Sequence, residues 1–224
     1  MARPAGGYKL ASGERCPGVT TVLGRWKEAG GLMYWAWDQG RNGLDFRETR
    51  DKAAEAGSLT HALVELHITG KLNGDIASVI AESKATKEVG ERAVMAYENY
   101  LAWERTTRLK VIRTEMSLVS ERHRFGGTFD GVAVVEIDGL RSLADWKTGG
   151  IYTEALIQCA AYKGLYEEHF PLEPIDGGFH IVSFSRESGD FTHKYFSNLD
   201  EAWQQFLLLR EAFEIDKRLK KRVG

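Results

Sequence analysis

The sequence is poor in cysteine, with only Cys16 and Cys159 among its 224 residues. Two thiols cannot build a four-thiolate zinc or iron–sulfur centre, so no iron–sulfur cluster is expected, and they offer no disulfide framework. Proline is scarce at 4 residues, and no Gly/Ser linker or solenoid-period repeat divides the chain. A single domain over residues 1–224 is therefore expected. No apolar run approaches the roughly 20 residues of a membrane span, so no membrane partner is expected. The opening Met1-Ala2-Arg3-Pro4-Ala5-Gly6-Gly7 lacks a signal-peptide hydrophobic stretch, and a cytoplasmic location follows as an expectation. An excess of one charge is missing too. The formal net charge is -2, so a nucleic-acid partner would need a locally basic surface. What is present, 43% hydrophobic and 28% charged residues, suits a soluble globular domain with a sizeable core.

Hydrophobic periodicity changes character near residue 108. Before it the chain reads as mainly helical. Thr20–Trp26 and Leu32–Gln39 are short pieces broken by Gly30-Gly31, and Asp51–Ile68 carries an apolar stripe of Ala56, Leu59, Leu63 and Leu66. Lys87–Arg105 repeats the pattern with Val89, Ala93, Ala96, Tyr97 and Tyr100. From residue 109 onward strands appear: Lys110–Val119, Thr128–Ile137 and Leu140–Lys147, the last two joined by the hairpin pair Asp138-Gly139. A helix over Thr153–His169, strands at Gly178–Ser185 and Phe191–Phe196, and a final helix to about Lys220 complete the order. The expected class is α/β (α+β), a mixed sheet flanked by helices, with residues 1–108 forming a helical N-terminal portion and 109–224 the sheet core.

The hairpin concentrates the chemistry. A two-residue turn at Asp138-Gly139 sets Ile137 against Leu140, Val132 against Asp145 and Asp130 against Lys147. Residues two apart share a face, so Asp130, Asp145 and Lys147 point the same way. Directly opposed Cβ atoms lie ~4.5–5.5 Å apart, close enough for two carboxylates to share a hard divalent cation. Such an ion polarises a phosphoryl oxygen and lowers the pKa of bound water, while a lysine stabilises developing charge. The same three residues would also make a cross-strand ion pair on a solvated face.

Four features in order give a family resemblance. Asp130 followed by Asp145-Trp146-Lys147 resembles the PD-(D/E)xK nuclease superfamily. Gln158-Cys159-Ala160-Ala161-Tyr162 is similar to the QxxxY motif of its RecB-like exonuclease branch. Gly57-Ser58-Leu59-Thr60-His61 resembles that branch's glycine-to-histidine helix motif, and Glu115 holds the place of its first acidic residue. Pro17-Gly18-Val19-Thr20-Thr21-Val22-Leu23, with Tyr34-Trp35-Ala36-Trp37 after it, is similar to phage-type members. Phe129 stands where the family name has its proline. The resemblance implies a restriction-endonuclease-like core and a Mg²⁺- or Mn²⁺-dependent DNA nuclease, an exonuclease of recombination, repair or end processing that leaves a 5′-phosphate and a 3′-hydroxyl. It implies His61, Asp130 and Asp145 as metal ligands, Lys147 as the catalytic lysine, and Glu115 as a ligand or support. Single- or double-stranded DNA is the implied partner, together with a recombination or single-strand-binding protein, in the host cytoplasm if the gene is a phage's.

Other residues carry two readings each. Gln158 and Tyr162 share a helix face, which in related nucleases approaches DNA, although a surface Gln beside a part-buried Tyr has the same spacing. His61 lies one turn from Glu65, which could orient its ring, and an imidazole ligand would favour Mn²⁺. Arg122 and Arg124, in the loop before Asp130, are placed for phosphate contact. Lys217, Arg218, Lys220, Lys221 and Arg222 form a basic tail. Trp26, Tyr34, Trp35 and Trp37 could stack on unpaired bases but are read as core. Two other functions stay open: a non-catalytic DNA-binding or assembly subunit of the same fold, and a metal-dependent hydrolase of small phosphate esters.

Overall fold

A computed structural model describes residues 4–26, 30–72, 75–129 and 131–223. In chain order the elements are β1 (Tyr8–Lys9), β2 (Arg15–Cys16), α1 (Val19–Leu23), α2 (Gly30–Arg41), α3 (Phe46–Ile68), α4 (Ile76–Ser83) and α5 (Lys87–Thr107). The second part follows with β3 (Lys110–Arg113), β4 (Ser117–Ser120), β5 (Phe125–Thr128), β6 (Val132–Ile137), β7 (Leu140–Lys147), α6 (Thr153–His169), β8 (Phe179–Phe184), β9 (Phe191–Phe196) and α7 (Asp200–Val223). The expected class holds: a mixed sheet flanked by helices, behind a helical N-terminal portion. No helix among the described residues is long and apolar enough to cross a membrane.

The main sheet has five strands in the order β3-β6-β7-β8-β9. Only β7 and β8 run parallel, which requires a crossover, and α6 supplies it. Alternation along β6 and β7 then feeds two cores. Val132, Val134 and Leu143 face α1, α6 and α7 through Tyr162, Leu165 and Phe206. Ala133, Val135, Ala144 and Trp146 face α3 and α5 through Leu63, Tyr97, Tyr100 and Trp103. Both faces of the central strands are buried, so the sheet is a rigid base for whatever its strand ends carry. The hairpin has the expected register, Ile137 opposite Leu140 and Val132 opposite Asp145. Asp138 (φ 52°) and Gly139 (φ 79°) are both left-handed, as this two-residue turn demands.

Four expectations are corrected. Lys110–Val119 is not one strand. β3 shifts register between Val111 and Arg113, Glu115 turns left-handed at φ 56°, and β4 leaves the main sheet to pair with β5. The alternating pattern runs through this break because Ile112, Met116 and Leu118 all pack against the same core, whichever strand their backbone pairs with. Thr128–Ile137 also divides, at the turn carrying Gly131 (φ 69°). The long helix starts at Phe46, five residues before Asp51, because the Asp45 carboxylate accepts the Arg47 N–H and caps it. Finally, the N-terminal aromatics are not core: Trp26 is 40%, Tyr34 66% and Trp37 54% exposed, and α2 buries no residue. They pack locally instead, Tyr34 on Trp37, Arg41 over Trp37, and Trp35 edge-on to Phe46.

Candidate active site

Asp145 and Lys147 end the central strand β7 on the side facing α6. Asp145 is 1% exposed, and the Lys147 ammonium stands 2.8 Å from its Oδ2. Lys147 is the one charged partner of this carboxylate among the described residues, and the Cys159 thiol lies against it. Burial pushes the Asp145 carboxyl above its ordinary pKa, and Lys147 only partly opposes it. The Cys159 thiol beside it is fully buried and is also pushed up, by burial first and then by the Asp145 charge. From α6, Gln158 accepts the Lys147 ammonium on Oε1 at 3.2 Å, which aims the lysine. A carboxylate buried this completely, with a single lysine as its charged partner, is a costly arrangement for a structural ion pair. The solvated-face reading of these residues is thereby corrected.

Asp130 lies outside the described residues, but both of its neighbours are placed. The Phe129 N–H donates to the Met116 carbonyl at 2.8 Å, and the Phe129 carbonyl accepts the Glu115 N–H at 3.0 Å. The Gly131 carbonyl accepts the Trp146 N–H at 2.8 Å. Phe129 is thus tied to the β3–β4 loop, and Gly131 to β7 between Asp145 and Lys147. Across this turn comes α3. A Cβ built on Gly131 would stand 2.3 Å from Cε1 of His61, so the imidazole fills the space that glycine leaves. Gly57, one turn earlier, serves the same approach, since a Cβ there would meet Thr148 Oγ1 at 2.8 Å. The fold thus brings His61 to the turn at Gly131, whose carbonyl is bonded to Trp146, while Lys147 joins Asp145 and Gln158 on the next strand. Glu115 joins them by its backbone, from the loop between β3 and β4 rather than from a strand.

Two sets of expected DNA-contacting residues are placed elsewhere. Tyr162 is 3% exposed, its hydroxyl donates to the Thr128 carbonyl at 2.8 Å, and its ring packs on Phe129 with centroids 4.7 Å apart. It holds the backbone two residues ahead of Asp130. The helical spacing with Gln158 was informative, but β5 covers that half of the face. Arg122 and Arg124 sit at the far tip of the β4–β5 hairpin. The Arg122 N–H donates to Glu168, and Arg124 pairs with Glu14 at 2.6 Å. Ten residues of α6 separate Glu168 from Gln158, about 15 Å along the helix axis. Six residues of sequence separate Arg124 from Asp130, but an extended strand lies between.

Tyr162→Phe isolates this positioning contact. It keeps the ring on Phe129 and leaves the buried Thr128 carbonyl one bond short. A loss of about 1–2 kcal/mol in urea denaturation is expected. An unchanged unfolding midpoint would mean that the hydroxyl does not hold the strand.

Among the described residues, no three His, Cys, Asp or Glu side chains group around a common point. The pair His61 and Asp145 nevertheless fits a divalent cation chemically. It offers a buried carboxylate with a lysine as its one charged partner among the described residues, and an imidazole at the neighbouring Gly131 turn.

No protein-family model and no curated protein matches this sequence. Among solved structures, one described as "Putative exonuclease" from Eubacterium rectale is similar to the chain at 11% identity. The match covers 70% of this chain and 68% of that one, with a TM-score of 0.48. A likeness this slight transfers no chemistry, which rests on the residues themselves.

Proposed function

We propose that the protein is a divalent-metal-dependent DNA nuclease of the RecB-like PD-(D/E)xK type, acting as an exonuclease in recombination, repair or end processing. The observation that carries this reading is the fully buried Asp145 carboxylate paired with Lys147 at the end of β7, on the strand bonded to the turn where His61 meets Gly131. His61, Asp130 and Asp145 would hold Mg²⁺ or Mn²⁺. The ion would supply Lewis-acid polarisation of a phosphoryl oxygen and a water of lowered pKa. The protein's own groups do the rest. Lys147, aimed by Gln158, places its ammonium where negative charge develops on the phosphate. The apolar wall of Phe129 and Cys159, both fully buried, keeps bulk water off the carboxylates and strengthens each electrostatic contact. Tyr162 and the Glu115 N–H fix the backbone on either side of Phe129, and so the position of Asp130.

The test is cleavage of end-labelled single- and double-stranded DNA with Mg²⁺, Mn²⁺ or EDTA, paired with Lys147→Ala. Metal-dependent cleavage by the wild type is expected. Lys147→Ala should slow single-turnover cleavage by about 10²–10³-fold, the loss typical of a charge-stabilising donor. Calorimetric Mn²⁺ affinity should hold or rise, since a neighbouring cation is lost. Equal losses in cleavage and metal binding would make Lys147 a structural partner of Asp145, and cleavage that persists in EDTA would remove the metal from the mechanism.

A further inference from the structure

One face of α3 touches three different elements at positions four residues apart. The Ala53 carbonyl accepts the Arg186 guanidinium, Gly57 abuts Thr148, and His61 abuts Gly131. Residues at this spacing stack along a helix, and eight residues rise ~12 Å. The candidate active site thus occupies one end of a lane along α3, and Arg186 stands at the other.

Between them lies an open cleft of about 450 Å³ at the C-terminal ends of the parallel strands β7 and β8. Its walls are the Thr148–Gly150 turn that follows Lys147, the end of β8, and the loop from Ser185 to the start of β9. The loop is folded on the Ser185 hydroxyl, which accepts the N–H groups of Glu187 and Ser188 at 3.2 and 3.1 Å. Thr148, Ser183, Ser188 and Thr192 line the cleft, along with Gly149 and Gly150.

Arg186 is half-buried in this wall, and among the described residues no carboxylate pairs with it. Its neighbour Glu187 reaches Arg92 instead, at 3.5 Å, and no ion pair joins Arg186 to Asp190, which also lines the cleft. The carbonyl of Ala53 is a neutral partner. Burial first, and then the nearby Arg92 charge, hold the Arg186 pKa below its ordinary value, and the Glu187 charge only partly opposes them. Charged groups removed from water are ordinarily paired, and the planar guanidinium matches a phosphate with its remaining donors.

We infer that this cleft is a phosphate subsite for the DNA strand, in which Arg186 holds a phosphate a few nucleotides from the one that meets Lys147. The ~12 Å of α3 from Ala53 to His61 spans three or four steps of the roughly 3.4 Å axial rise per nucleotide, and Lys147, next to Thr148 at the level of Gly57, falls within that span. The subsite rests on the nuclease reading for its substrate. The phosphate is either internal to the strand or the terminal one, and both present the same oxygens to Arg186.

Arg186→Gln tests this, because the amide can still donate to the Ala53 carbonyl while the charge is gone. Arg186→Lys restores the charge without the fork. Binding of fluorescein-labelled oligonucleotides to the full chain is followed by anisotropy across a KCl series, with Ca²⁺ in place of Mg²⁺. Arg186→Gln should weaken binding about tenfold at low salt and reduce the slope of log affinity against log salt by about 0.7–0.9, one phosphate contact. Arg186→Lys should recover the slope. If only a 5′-phosphorylated oligonucleotide shows the loss, the phosphate is terminal; equal loss with a 5′-hydroxyl oligonucleotide makes it internal. An unchanged affinity and slope for Arg186→Gln, or a wild type that binds neither oligonucleotide, overturns the subsite. A wild type that binds with this Arg186 dependence yet never cleaves in Mg²⁺ or Mn²⁺ overturns the nuclease reading and leaves the subsite standing.

Discussion

Asp145→Asn is expected to abolish cleavage and, in the metal-free protein, to remove a loss of stability that sets in as pH rises. The first effect follows from charge. An anionic ligand lost from a divalent cation removes several kcal/mol of transition-state stabilisation, and at about 1.4 kcal/mol per decade the rate should fall by roughly 10³-fold or more. The second follows from burial. The Asp145 carboxyl titrates above its ordinary value in the folded protein because burial outweighs the attraction of Lys147. For an acid raised in this way, the folded state binds the proton more tightly than the unfolded chain does. Its favourable contribution is therefore complete below the unfolded pKa of about 3.9 and is lost as pH climbs through the folded value. Thermal melts of the metal-free wild type should fall across that window, and those of Asp145→Asn should lack this component. Added Mn²⁺ should raise the wild-type melting temperature at neutral pH and leave the variant's nearly unchanged, since ligand binding to the native state alone stabilises it. A variant that cleaves at near the wild-type rate in saturating Mg²⁺ would end the metal-site assignment. Equal Mn²⁺ shifts in both proteins would do the same.

Part of this site is legible in sequence because its geometry is local. A two-residue turn leaves one register available, so Asp138-Gly139 places Val132 opposite Asp145 without reference to the rest of the chain. The adjacency of Gln158 and Lys147 follows almost as directly, since the short loop after β7 must turn into α6 to reach the parallel strand β8. What fails does so where sequence distance or periodicity stands in for partner choice. The alternation from Ile112 to Leu118 is genuine, yet β3 pairs with β6 and β4 with β5, and the left-handed Glu115 between them leaves no mark on a pattern of period two. Arg124 is near Asp130 in number and a strand away in space. Tyr162 lies on the same helical face as Gln158, but only the position of Thr128 decides that its hydroxyl is spent on backbone. Arg186 had no signal at all. Its one neutral partner is 133 residues away, and an arginine in a loop reads as solvated until a neighbouring helix buries it.

Gly131→Ala is expected to give the largest stability loss of any single methyl added to this site, and His61 is expected to account for most of it. A left-handed φ of 69° costs a residue with a Cβ about 1–2 kcal/mol. The new methyl would also stand 2.3 Å from Cε1 and 2.6 Å from Nδ1 of His61, so α3 or the turn must move. Overpacking of this kind costs about 1–3 kcal/mol more. The single variant should therefore lose about 2–5 kcal/mol in urea denaturation and, because residue 130 is its neighbour, bind Mn²⁺ more weakly. In a His61→Ala background the clash disappears and only the backbone strain remains, so the same substitution should cost about 1–2 kcal/mol. The difference between the two costs is the coupling energy of a double-mutant cycle, which reports contact between the imidazole and the turn without requiring any activity. A metal-ligating imidazole adds a second demand: His61→Ala alone should weaken Mn²⁺ binding more than Mg²⁺ binding, because water replaces nitrogen more readily on the harder ion. Coupling near zero would separate His61 from the turn. Strong coupling with equal losses for the two metals would keep it there as a packing residue that shapes position 130, leaving the carboxylates to hold the ion without it.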